Sequence, residues 1–183
     1  MNVYIDLNFI PKDKRETLKT LFPKINFQFD LKNKDNLDVF IGNNQTIAEE
    51  NIDDFKNLKW IQLFMAGYDN IDLAKLKEKE ITLTNAQNIF SITIAEDVIH
   101  KILHFNRDAK AFLNQMDSKT WKHIWNEPEI FNSVVGIIGT GSIGKETAKR
   151  LKAFEPKKII GHRRTDAHVE FFDEIYTGRK GLE

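Results

Sequence analysis

A glycine-rich segment between a strand pattern and a helix pattern constrains this chain more than any other feature. The apolar residues 134–138 run into the sequence GTGSIG, and a helical pattern follows as far as residue 152. In this spacing the first glycine takes a tight turn, the second lets the backbone approach a pyrophosphate, and the third lets the helix pack on the strand. Phosphates would lie at the helix N-terminus, where free N–H groups and the helix dipole favour an anion. The candidate dinucleotide-binding residues are Gly139, Thr140, Gly141, Ser142, Ile143 and Gly144. The alternative is a glycine-rich turn that binds no ligand.

Strand patterns alternate with helix patterns before this segment. Apolar or alternating runs predict strands at residues 3–5, 25–29, 37–41, 60–64 and 81–84, and helical spacing predicts helices at residues 11–22, 52–58 and 73–79. Because the connections are too long for hairpins, the order indicates an α/β fold with a parallel sheet. A helical period from residue 93 to residue 116 predicts one long helix. An aromatic connection with Trp121 and Trp125 follows it.

Composition excludes several classes of protein. Lys plus Arg and Asp plus Glu number 27 each, so no net field attracts nucleic acid or an anionic membrane, and neither is expected as a partner. The sequence has no Cys, and therefore no disulfides and no thiol chemistry. No signal-peptide pattern follows Met1, and the apolar runs are too short to span a bilayer. We expect a cytoplasmic protein.

Several segments, taken in order, resemble the D-isomer-specific 2-hydroxyacid dehydrogenases. They are LKWIQ at 58–62, AGYDNID at 66–72, ITLTN at 81–85, IAE at 94–96 and VVGIIGTGSIG at 134–144. The resemblance covers most of residues 1–176. It implies an oxidoreductase that uses NAD(P) to interconvert 2-keto acids and D-2-hydroxy acids.

The same resemblance implies a domain organisation. A flavodoxin-like parallel-sheet substrate domain would occupy residues 1–92, and the first part of a doubly wound Rossmann domain would occupy residues 132–183. Residues 93–131 would form the long helix and dimerisation link, because this family builds its homodimer from that region. We therefore expect a homodimer.

Three residues of the first half are candidates for binding the substrate. The loop with Gly67 and Tyr68 can present backbone N–H groups to a carboxylate, since glycine permits the backbone conformations that such a nest requires. A tight turn without a ligand is the alternative. Asn85, at the end of a strand pattern, matches a polar residue that the family places near the substrate. Asp97 departs from the family, because many members have His there.

The residues after the second predicted Rossmann strand bear on the choice of cofactor. Folds that prefer NAD place an acidic residue there, about twenty residues after the glycines, to bind the ribose hydroxyls. This chain instead has Arg163, Arg164 and Thr165, which suit a 2′-phosphate. We predict binding of NADP(H) in preference to NAD(H), although two solvated arginines in a loop are the alternative.

The catalytic residues of the family have no counterpart in this sequence. The family uses a His as acid and base, a Glu that tunes it and an Arg that binds the substrate, and all three follow the region that this chain matches. We therefore expect a chain truncated within its nucleotide-binding domain, with little or no activity. A non-catalytic nucleotide-binding or dimerisation module is the alternative. Glu96, His100 and His104 share one helix face, but without a fourth ligand we expect no metal site.

Overall fold

A computed structural model describes residues 1–6, 10–125 and 127–182. The chain forms two compact units, Met1–Gln87 and Asn88–Glu183. Residues 7–9, 126 and 183 lie outside the described residues, although the domains predicted from the sequence include them. The three-part division into residues 1–92, 93–131 and 132–183 stays a prediction. No helix in the described ranges has both the length and the apolar character that a bilayer crossing needs.

The first unit is built on a five-stranded parallel sheet. Its strands are β1 (Asn2–Ile5), β2 (Asn26–Gln28), β3 (Val39–Gly42), β4 (Trp60–Leu63) and β5 (Thr82–Thr84). Their spatial order, β2-β1-β3-β4-β5, is that of flavodoxin-like folds. The helices are α1 (Lys12–Leu21), α2 (Asn44–Ala48) and α3 (Leu73–Glu78). The predicted α/β class and parallel sheet are confirmed.

Apolar residues cover both faces of this sheet, as the near-continuous apolar strands predict. Phe40 and Ile61 are fully buried in the larger cluster, while Val3, Ile5 and Val39 form a cluster of their own. Burial of each large side chain contributes about 1.5–3 kcal/mol. The helix predicted at residues 52–58 is wrong, since only a 3₁₀ turn, Ile52–Asp54, forms there.

The second unit begins with two helices and continues with a parallel sheet. The helices are α4 (Ser91–Asn106) and α5 (Ala109–Asp117), followed by β6 (Val134–Ile138), α6 (Ser142–Leu151), β7 (Lys158–Arg163) and β8 (Glu174–Thr177). The strands pair in the order β6-β7-β8, with Ile138 opposite His162. Ala148 and Leu151 of α6 are buried against Ile159, and Ile99 and Ile102 of α4 pack on the same cluster. This packing fixes α6 directly behind the glycine segment.

The prediction of one long helix from residue 93 is wrong, because the helix is interrupted between α4 and α5. Asp108 adopts a left-handed conformation with φ 42°, and its side chain accepts a hydrogen bond from the Ala111 N–H. Aspartate tolerates this conformation and caps helices well. The apolar period continues across the interruption, so periodicity alone did not reveal it.

Candidate functional site

The glycine segment has the backbone geometry that its spacing predicts. Gly139 turns the chain out of β6 with φ 96°, and its N–H donates to the His162 carbonyl at 2.9 Å. A Cβ on Gly144 would lie 2.0 Å from the Gly139 carbonyl oxygen, so only glycine lets α6 approach β6 this closely. Gly141 differs, since no described atom lies within 4 Å of its Cβ position. The turn and the close packing are therefore built in, and space remains beside Gly141.

A cavity of about 610 Å³ joins the glycine segment to the end of β7. It is lined by Ile138, Gly139, Thr140, Gly141, His162, Arg163, Arg164 and Thr165. The structure thus brings the two groups of predicted cofactor residues together, because β6 and β7 are neighbours and both end at this edge. Ser142, Ile143 and Gly144 line an adjacent cavity of about 660 Å³, which α4 closes with Val98 and Ile102.

The Thr140 hydroxyl is a polar group that the fold buries without satisfying it. Thr140 is 7% exposed, and its Oγ1 has no hydrogen-bond partner among the residues that the structure describes. Gly161 on β7 makes room for this side chain, since a Cβ there would lie 2.5 Å from the Thr140 Cγ2. A buried hydroxyl without a partner costs about 1–3 kcal/mol. The sequence did not single out Gly161, because no motif links it to Thr140.

The two arginines after β7 differ from three paired lysines of this unit. Lys145, Lys152 and Lys158 pair with Glu170, Asp173 and Glu174 at 2.6–2.8 Å. Neither the Arg163 nor the Arg164 guanidinium forms a hydrogen bond or ion pair with a residue of the described ranges. Two unneutralised guanidiniums therefore line the cavity that contains the glycine turn, and they favour an anionic ligand there.

The geometry fits the phosphates of a dinucleotide. α6 begins at Ser142 behind Gly141, which has no side chain to cap the helix. Its first N–H groups are thus available to an anion at the positive end of the helix dipole. Together with the open space at Gly141, the helix N-terminus forms a cradle that a Cβ would partly fill.

The candidate substrate residues lie at the carboxyl edge of the first unit. Tyr68 and Asn85 line a cavity of about 460 Å³ together with Ala66, Leu73, Leu83 and Gln87. The Asn85 amide donates to the Ala66 carbonyl at 2.7 Å, which ties the loop after β4 to the end of β5. Because β4 and β5 are adjacent, residues far apart in sequence share this pocket.

The described backbone does not require glycine at position 67. Gly67 needs no positive φ, and a Cβ on it would contact only the Asp69 carboxylate at 3.7 Å. Nor is it among the residues that line the pocket of Tyr68 and Asn85. Binding of a carboxylate by this loop stays a prediction.

One polar contact near the glycine segment was invisible in the sequence. The hydroxyls of Ser91 and Ser142 lie 3.0 Å apart, at the first residues of α4 and α6. A pair so far apart in the chain forms no motif, and only the packing of the two helices brings it together.

The histidines of α4 do not assemble with other ligands. The rings of His100 and His104 are 5.9 Å apart, and the Glu96 carboxylate instead lies 3.4 Å from the Arg150 guanidinium. Among the described residues, no group of three or more His, Cys, Asp or Glu side chains is placed to hold a metal ion.

Comparisons with known proteins agree on one family. The family model described as "D-isomer specific 2-hydroxyacid dehydrogenase, catalytic domain" matches residues 30–154. Hydroxypyruvate reductase of Thermotoga maritima is 34% identical over 142 residues, which cover 75% of this chain and 46% of that protein.

Solved structures share the fold at low sequence identity. A D-lactate dehydrogenase from Aquifex aeolicus, complexed with NAD and lactic acid, superposes with a TM-score of 0.80 and 17% identity over 98% of this chain and 56% of that one. An acyclic imino acid reductase in complex with NADPH and D-Arg superposes with a TM-score of 0.74 and 21% identity. The match covers 96% of this chain and 60% of that one. The chain spans about half the length of the relatives that it matches.

Proposed function

Because this chain belongs to the D-isomer specific 2-hydroxyacid dehydrogenase family, we propose that it forms part of an NAD(P)-dependent oxidoreductase acting on small 2-keto and D-2-hydroxy acids. The observation that carries the proposal is the single cavity shared by the glycine turn and by Arg163 and Arg164. The relative named hydroxypyruvate reductase supports a small keto acid as substrate. When bound, the nicotinamide supplies the hydride that reduces the keto carbon.

This chain's own residues bind and orient the reactants. The N–H groups at the start of α6 hold the pyrophosphate, and Gly141 lets it come close to the backbone. In the first unit, Tyr68 and Asn85 supply polar groups to the substrate pocket together with Gln87, and the loop at Gly67 lies beside Tyr68. The Asn85 amide keeps that loop in place through the Ala66 carbonyl.

The preference for NADP(H) is the finer part of the proposal. Arg163 ends β7, where a fold that prefers NAD carries an acidic residue, and Arg164 and Thr165 follow directly. The guanidiniums of Arg163 and Arg164 are not neutralised by a residue of the described ranges, which supports a 2′-phosphate as their partner. Guanidiniums bind phosphates through paired, charge-assisted hydrogen bonds.

Fluorescence titration with NADPH and NADH tests this preference. We expect tighter binding of NADPH, and about a 10-fold loss of NADPH affinity in Arg163→Ala or Arg164→Ala, because each removes a charge-assisted hydrogen bond. NADH affinity should change less than about twofold in the same variants. Arg107→Ala removes an arginine that pairs with Glu127 away from this cavity and serves as the matched control. Equal or tighter binding of NADH by the wild type would contradict the preference.

We also propose a homodimer formed through residues 93–131. The link after α5 exposes large aromatic rings, since Trp121 and Trp125 are 84% and 87% exposed. Phe105 and Met116, on the two preceding helices, are 80% and 73% exposed. Large aromatic side chains are characteristic anchors of protein interfaces, and a second copy of this chain would cover them.

A binding module without catalysis is the second candidate function. The substrate pocket has no His among its lining residues, and the His162 ring is hydrogen-bonded to the Gly178 carbonyl at 2.8 Å. The described residues therefore place no His in this pocket, and little or no turnover by this chain stays a prediction. An assay of glyoxylate or hydroxypyruvate with NADPH separates the two candidates, since measurable oxidation of NADPH would exclude the module. The cytoplasmic location likewise stays a prediction.

A further inference from the structure

The hydroxyl contact between α4 and α6 links a helix outside the glycine motif to the phosphate cradle. Ser91 Oγ and Ser142 Oγ are 3.0 Å apart, and Ser91 is 6% exposed whereas Ser142 is open to solvent. We infer that Ser91 is a positioning residue for the dinucleotide pyrophosphate, because it orients the Ser142 hydroxyl toward a phosphate oxygen. The inference rests on the proposed function and adds a residue that neither the motif nor the family resemblance singled out.

Counting hydrogens gives the direction of this chain of bonds. Each serine hydroxyl carries one hydrogen and can accept as well as donate. In the contact one hydroxyl donates and the other accepts, so one hydrogen is always left for a further acceptor. Ser142 is the exposed member, so Ser91 donates to Ser142 and the Ser142 hydrogen remains for the ligand. A hydroxyl that accepts one bond becomes a better donor in the next.

Neither serine is the N-cap residue of its helix. The N-cap residues are Phe90 for α4 and Gly141 for α6, and neither has a polar side chain. Ser91 and Ser142 occupy the first helical positions, and their hydroxyls bond to each other across the helix pair. The two helix N-termini therefore meet at the glycine segment, and both dipoles favour an anion there.

Contacts further along the helices hold this pair in register. Ala95 and Ala148 are both fully buried. One turn beyond Ala148, Leu151 lies in the core cluster on which Ile99 of α4 packs. Arg150 bonds both to Glu146 on its own helix and to Glu96 on α4, the latter at 3.4 Å. The Ser91 hydroxyl is thus placed by the packing of α4 on α6, before any ligand binds.

A double-mutant cycle on NADPH binding tests the inference with the full chain. We expect Ser91→Ala to weaken NADPH binding about 3- to 10-fold, the effect of one hydrogen bond. In a Ser142→Ala background the same change should have no further effect, because the chain of bonds is already broken. Ser133→Ala is the matched control, since its hydroxyl bonds to the Ile130 carbonyl away from the cradle.

Competition by adenosine 2′-phosphate separates positioning from a general loss of structure. This probe has the 2′-phosphate but no pyrophosphate, so Ser91→Ala should leave its competition for the site unchanged. The inference would be overturned if Ser91→Ala lowered the affinity for adenosine 2′-phosphate as much as that for NADPH. It would also be overturned if Ser91→Ala and Ser142→Ala weakened NADPH binding additively. Unchanged NADPH binding in Ser91→Ala would overturn it while leaving the proposed function intact. Failure of the wild type to bind either dinucleotide would instead reject the proposed function, and this inference with it.

Discussion

Two glycines of the GTGSIG segment lack a Cβ for different physical reasons. Gly144 has no room for one, because the Gly139 carbonyl oxygen would lie 2.0 Å away. Gly141 has room and needs no positive φ, so the described fold does not require glycine there. The spacing predicted both positions because it reflects local backbone geometry. It also assigned packing to Gly144 and ligand approach to Gly141, and the structure adds the contact distance that makes glycine obligatory at Gly144.

This difference predicts opposite outcomes for two alanine substitutions. Gly144→Ala should lower the free energy of unfolding by about 2–4 kcal/mol, because α6 must move away from β6. Gly141→Ala should lower it by no more than about 1 kcal/mol, the cost of alanine at an N-cap, but weaken NADPH binding, since the methyl group occupies the phosphate space. Denaturant unfolding and NADPH titration measure the two effects. A destabilised Gly141→Ala variant that binds NADPH normally would contradict this assignment.

At the level of elements, the strands were predicted better than the helices. The pattern VVGII corresponds residue for residue to β6, since a run of β-branched apolar residues favours a strand. The short helix α2 was missed, although the Asn43 side chain accepts a hydrogen bond from the Thr46 N–H as a helix cap does. Helix ends are decided by single residues such as Asn43 and Asp108, and periodicity averages over them.

The start of β8 gives a prediction about pH. The Asp173 carboxylate accepts hydrogen bonds from the Lys152 ammonium at 2.8 Å and from the Ile159 N–H at 2.7 Å. These bonds hold the pKa of Asp173 below its ordinary value of 3.8, and the bond from Lys152 lowers the pKa more than the bond from the Ile159 N–H. Because the folded pKa is depressed, the stabilisation is complete above the ordinary value and is lost as the pH falls through the folded pKa.

Unfolding of Asp173→Ala at several pH values measures this contribution. We expect the variant to lose about 1 kcal/mol at neutral pH, mainly from the bond to the Ile159 N–H, since the exposed pair with Lys152 adds little. The difference from the wild type should shrink as the pH falls below 3.8. Glu170→Gln breaks an exposed pair with Lys145 and should leave the profile unchanged. A difference that stays constant down to low pH would refute the role of the carboxylate.

At the level of the whole molecule, the two sheets were predicted by different kinds of signal. Alternation of strand and helix patterns predicted the parallel sheet of the first unit, and the glycine motif predicted the sheet that begins with β6. The aromatic link belongs to the second unit, where the His123 ring stacks on Trp125 at 3.9 Å. Trp121 and Trp125 stay mostly exposed within the chain. Such a patch is the kind of surface that a partner covers.

The proposed homodimer gives a prediction for this link. Trp121→Ala and Trp125→Ala together should weaken self-association by at least about 10-fold, because buried tryptophans dominate interface energies. Light scattering over a range of concentrations measures the association. Trp60→Phe, in the first unit, is the matched control, since that ring is 40% exposed and lies outside the link. A wild-type chain that stays monomeric at micromolar concentration would contradict the proposal.

The sequence by itself determined the features that depend on neighbouring residues. The turn at Gly139, the close packing at Gly144 and the strands of both units follow from local backbone geometry and apolar periodicity. The tertiary structure decided which distant residues meet. Arg163 reaches the glycine turn because β7 pairs with β6, and Asn85 reaches the Ala66 loop because β5 pairs with β4. Ser91 reaches Ser142 only because α4 packs on α6, and no local pattern encodes a contact that depends on strand order and helix packing.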